Sequence, residues 1–146
     1  MDGTRKVRLN YLAILVSALV YFAVQGVWFT VFMEEWLAGI GKTAEELRQQ
    51  RTSVLLAYFV GFITALVIAG GISWLTQLTG NHTIFRGVWI AVFAWVAFIL
   101  TTLAAEYAFE GRGVKSLVIN AGGPLIGMVL MGAILGGWKA RPKGIV

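Results

Sequence analysis

The sequence predicts an all-α polytopic integral membrane protein, a four-transmembrane-helix antiparallel bundle with short loops, in one domain over residues 1–146. Three observations lead there. The chain is 58% hydrophobic and 13% charged, whereas a soluble domain carries about 25% charged residues because its surface faces water. The charges are confined to residues 2–8, 34–51, 106–115 and 139–143, with Arg86 alone between them. Each apolar run between these groups is long enough to cross a hydrocarbon core of roughly 30 Å as an α-helix. No long window shows the alternation of a strand.

The first span is expected over about residues 9–32. Arg5, Lys6 and Arg8 precede it, as in a signal peptide, but the apolar run continues to Met33. That exceeds the about 7–15 residues of a signal h-region, and no small-residue cleavage site follows, so the helix reads as retained. Asn10, Ser17, Tyr21, Gln25 and Trp28 recur at helical steps and form its less apolar stripe. Residues 33–51 are the longest polar stretch. Thr43 with Glu46 three residues on is a capping box, and the helix it starts is expected to run through Leu47 and Arg51 straight into the second span.

The second span is expected over about residues 53–78, closed by a turn at Thr79, Gly80 and Asn81, with His82 in that turn facing solvent. The third covers about residues 84–109. Glu110-Gly111-Arg112-Gly113 leaves room only for an antiparallel hairpin into the fourth, about residues 114–138, which Lys139, Arg141 and Lys143 stop. Trp28, Trp36, Trp74, Trp89 and Trp138 fit the headgroup level, where aromatic rings with one polar edge collect. Trp95 lies deeper and should pack inside the bundle or against lipid.

An even number of spans places both ends of the bundle on one side. Arg5, Lys6, Arg8, Arg86, Lys139, Arg141 and Lys143 lie on that side, and Lys42, Arg48, Arg51, Arg112 and Lys115 on the other. Seven against five favours cytoplasmic N- and C-termini. The net charge of +5 does not indicate nucleic acid, because the basic residues sit in short groups at span ends, where they meet lipid headgroups. There is no cysteine and one histidine, so neither a thiol site nor a multi-histidine metal site is expected. No phosphate loop, serine elbow or HExxH pattern occurs, and no catalytic residue, metal or cofactor is assigned. The halves of the chain do not repeat one another, unlike those of many transporters.

Several stretches resemble an uncharacterised bacterial membrane protein family, domain of unknown function 1761. The C-terminal ones are Phe109-Glu110-Gly111-Arg112, Ile119-Asn120-Ala121-Gly122, and Leu130-Met131-Gly132-Ala133-Ile134-Leu135-Gly136 with Trp138. The N-terminal ones are Asn10-Tyr11-Leu12-Ala13, Gly26 with Trp28-Phe29, Trp36, Gly41, and Thr43 with Glu45 and Glu46. The resemblance implies a four-helix protein of the bacterial plasma (inner) membrane and supplies no activity. This chain has Gly123-Pro124 where members tend to have an aromatic and a polar residue.

Asn120 lies about one and a half turns inside the fourth span, where an unpartnered amide is costly. Pro124, four residues on, cannot donate to its carbonyl. Glu106 is the carboxylate nearest the hydrocarbon. Measured from the hairpin turn, it lies roughly 4–5 Å from the level of Asn120. Thr102 is one turn deeper, and Gln25 could join from the first span. These four residues form the candidate polar intramembrane site. Glu110, Arg112 and Lys115 form an expected interfacial charge cluster at the hairpin. Gly123 with Gly127, and Gly132 with Gly136, allow close helix approach within the bundle or between subunits, and the second pair is expected to serve self-association.

Together these features suggest a structural or interaction subunit, partnered by membrane lipids and by a second copy or other membrane subunits. The alternative is a small oligomeric transporter or channel for an ion or small solute. An intramembrane enzyme using Glu106 and Asn120 has little in the sequence behind it.

Overall fold

The computed structural model describes residues 8–49, 54–80 and 82–138. Four membrane-length helical segments occupy Tyr11–Val31, Val54–Leu78, Ile84–Glu110 and Val114–Gly137, close to the bounds the sequence predicts. The first is α1. A backbone change at Phe32 (φ −102°, ψ 23°) separates it from a short helix, α2, at Met33–Gly39. The polar stretch alone gave no signal for α2. The helix α3, Ala44–Arg48, follows. The second span is α4, Val54–Leu78.

The capping box forms as its spacing predicts. The Glu46 N–H donates to Thr43 Oγ1 at 3.2 Å, and the Thr43 N–H donates to Glu46 Oε2 at 2.7 Å. The backbone and hydroxyl of Thr43, with Lys42 nearby, hold the Glu46 carboxyl below its usual value. The helix started there is short, however, and closes at Gln49. Its expected continuation into the second span falls on residues 50–53, outside the described residues.

The third span is not one regular helix. It runs as α5, Ile84–Ala94, then a π-helical segment, Trp95–Leu100, then α6, Thr101–Glu110. The Thr83 side chain caps its start, and Gly111 ends it in the left-handed region at φ 66°. That single glycine lets the chain reverse within the three residues before α7, Val114–Gly137.

Antiparallel neighbours pack as α1 beside α4, α5 beside α7 and α7 beside α1, while α4 touches both α5 and the parallel α7. α7 is the central element, burying ten of its 24 residues against five of 25 in α4. Small residues determine how close the partners come. A Cβ on Gly132 would fall on the Gly87 carbonyl of α5 and 2.8 Å from the Ala91 Cβ, so the two backbones touch. Gly136 meets Gly87 and the Thr83 carbonyl in the same way. This corrects the expectation that Gly132 and Gly136 face a second copy, since both are buried inside one chain. Met131, Leu135, Ala91, Ala69 and Ile72 fill the core at this end.

The opposite end is open. α4 has no buried residue before Ala65, and residues 54–60 are exposed in succession, with Tyr58 met edge-on by the Phe22 ring of α1 at 6.1 Å. In α6 only Tyr107 is buried.

Candidate functional site

The polar layer gathers around α7 at the hairpin end. Asn120 Nδ2 donates to the Tyr107 hydroxyl at 2.7 Å and to the Ser116 carbonyl at 3.0 Å. Ser116 Oγ lies 3.5 Å from the same hydroxyl, at the limit of bonding distance. Tyr107 and Ser116 are buried. Gly39 of α2 lies over Ser116, where a Cβ on the glycine would collide with the serine side chain. The amide that looked costly in the sequence therefore has both hydrogens placed, as buried polar groups require.

The partner of Asn120 from the third span is Tyr107, not Glu106 or Thr102. Both of the latter are exposed, and Thr102 Oγ1 donates back to the Phe98 carbonyl at 2.6 Å. The cause is the π-helical segment. The inward residues Gly87, Ala91, Trp95, Ile99 and Tyr107 are spaced in multiples of four. In a continuous α-helix such a row drifts by about 40° per step, and the wider turn at 95–100 removes part of that drift. Position 107 thereby faces α7 and position 106 faces outward. A four-step row ending in tyrosine was the available sequence signal.

Pro124 lies inside α7, and indoles bond the carbonyls on either side of Asn120. Trp28 Nε1 donates to the Ile119 carbonyl at 2.9 Å, and Trp95 Nε1 donates to the Ala121 carbonyl at 3.0 Å. Trp28 is thus held within the bundle, which corrects its placement as an interfacial ring. Trp95 is inside, one of the two positions open to it. Gly122 and Gly123 make room for the Trp28 ring, at 2.8 and 2.7 Å from where a Cβ would stand. Gly127 does the same for Tyr21 at 2.6 Å. Gln25 packs between Gly123 and Gly127 without reaching Asn120, and its Nε2 is buried with no partner among the described residues.

The charge cluster at the hairpin divides. Arg112 Nε pairs with Glu110 at 2.6 Å, and its guanidinium lies 5.1 Å over the Tyr107 ring. Lys115 reaches across to Glu35 of α2 at 4.0 Å instead of joining them. Between these groups opens a cavity of about 740 Å³, lined by Glu34, Glu35, Gly39, Arg112, Lys115 and Ser116 among others. Sequence reasoning missed Glu34 and Glu35, although two adjacent acids at a span end were visible. Among the described residues no cluster of three metal-binding side chains occurs. His82 is half-buried, with Nδ1 enclosed and unpartnered among the described residues, so it is only partly open to solvent.

The site is therefore a hydrogen-bonded layer of Tyr107, Ser116 and Asn120 under a mixed-charge cavity, braced below by two indoles. The family model described as protein of unknown function (DUF1761) matches residues 12–136. No curated protein and no solved structure matches the chain.

Proposed function

This chain belongs to the DUF1761 family, a family of unknown function, and we propose that it is an interaction subunit of a larger membrane assembly. The observation that carries this reading is the unpacked end of α4. Residues 54–60 are all exposed, Tyr58 and Phe59 each to 61%, and the Phe22 ring of α1 touches Tyr58 only edge-on. A span in a finished bundle shows one covered stripe along its length, as α4 does from Ala65 to Thr76. Glu106 supports the same reading, because a carboxylate on the outer face of a span calls for a partner. In this arrangement a helix from another subunit, or from a second copy, packs along α4 and α6 at the hairpin end.

Photo-cross-linking from Phe59 tests the proposal, with Trp74 on the packed half as the comparison. The expected product is a discrete protein adduct from position 59 and lipid adducts from position 74. Its mass, set against the 15.9 kDa of one chain, separates a second copy from a different subunit. Lipid adducts alone from both positions would overturn the reading.

The assembly belongs in a bacterial plasma membrane with both termini in the cytoplasm, supported by the seven-to-five charge count. A periplasm-only reporter active after Val146 would reverse that orientation. The mixed-charge cavity favours a second reading, a transporter or channel built from several copies. It requires a solute that raises the thermal stability of the parent protein and does so less in an Asn120→Leu variant.

A further inference from the structure

On the lipid-facing side, away from the polar layer, a groove of about 590 Å³ runs between α4 and the third span. Leu75, Leu78, Trp89, Phe93 and Phe98 line it, and the buried Ala94 gives it depth. Every lining side chain is apolar except Thr79 and Arg86, which lie together at one end. From Arg86 to Phe98 is twelve residues, a rise of about 18 Å. One leaflet is roughly 15 Å deep, half of a hydrocarbon core of roughly 30 Å. The groove thus has the length of one leaflet and a cation at its end.

Arg86 has little else to do there. Its Nη1 donates to the Thr79 carbonyl at 3.3 Å, and among the described residues it makes no ion pair. A guanidinium carries five N–H donors in a planar fork suited to phosphate. In the first turn of a membrane span it stands at headgroup level, with Trp89 one turn deeper.

We propose that this groove is a binding site for one anionic phospholipid, with an acyl chain along Trp89, Phe93 and Phe98 and its phosphate on Arg86. The site is independent of the interaction surface on α4 and α6. It differs from general annular contact in having a defined cation and a defined length.

Native mass spectrometry of protein released from nanodiscs of equal phosphatidylglycerol and phosphatidylcholine provides the test. The parent should retain one phospholipid, with phosphatidylglycerol preferred about five-fold. Arg86→Gln should bring the preference close to one, and Arg86→Lys should keep part of it. Lys115→Gln removes the same charge at the other end of the bundle and should leave the preference as in the parent. Leu75→Trp, which fills the groove, should reduce retention of both lipids. Circular dichroism identifies any variant that fails to fold, and the Arg86→Lys and Leu75→Trp results then decide. An unchanged preference in Arg86→Gln, an equal loss in Lys115→Gln, or parental retention in Leu75→Trp would each overturn the proposal.

Discussion

Asn120 is held from one nitrogen atom, which donates both its hydrogens, one to Tyr107 and one to its own helix at Ser116. Replacing it with leucine leaves the buried Tyr107 hydroxyl with only the 3.5 Å contact to Ser116 Oγ, and a group orphaned in this way costs about 1–3 kcal/mol. Asn120→Leu and Tyr107→Phe should therefore both lower thermal stability. The tyrosine change should be milder, because the Asn120 amide keeps its bond to the Ser116 carbonyl. Glu106→Gln should leave stability unaltered, since that side chain is exposed and belongs to no ion pair among the described residues. Thermal unfolding of the three variants in one detergent checks the order. Asn120 could be singled out in the sequence because an amide in an apolar span is conspicuous by composition alone. Its partner was harder to read, because the four-step row that ends at Tyr107 meets α7 only through a turn geometry that apolar residues do not encode locally.

At the scale of elements, the glycines of α7 serve two neighbours in turn. Gly122, Gly123 and Gly127 accommodate rings from α1, and Gly132 and Gly136 admit the backbone of α5. The two contacts differ in kind, since a ring can shift and a main-chain carbonyl cannot. Gly132→Leu should accordingly break the α5–α7 contact and cost at least the about 1–3 kcal/mol typical of overpacking, seen as loss of the folded monomer. Gly71 of α4 has nothing within 4 Å of where a Cβ would stand. Gly71→Ala should stabilise by about 1 kcal/mol through helix propensity, read as a higher unfolding temperature. The small-residue spacing was plain in the sequence, but whether it closes on a neighbour inside the chain or on another copy is a property of the assembled bundle. Here the neighbour is internal.

For the whole molecule, hydrophobic length and charge placement defined four spans to within a few residues, because both quantities are additive along the chain. Sidedness within the bundle is not additive, and it is there that Trp28, Glu106 and Thr102 departed from expectation. The π-helical segment has a last consequence, for tolerance of length change. Such a segment holds one residue more than an α-helix of the same reach. Deleting Ala97 should let residues 95–100 close into ordinary turns while Gly87 still meets Gly132 and Tyr107 still meets Asn120. Deleting Val129 from α7, which is α-helical throughout, finds no such surplus. Everything beyond it would rotate by about 100°, separating the faces that hold α1 and α5. The first deletion should leave a folded protein close to the parent in unfolding temperature, and the second should not fold. In this fold, then, the third span is where the chain can lose a residue and keep its architecture.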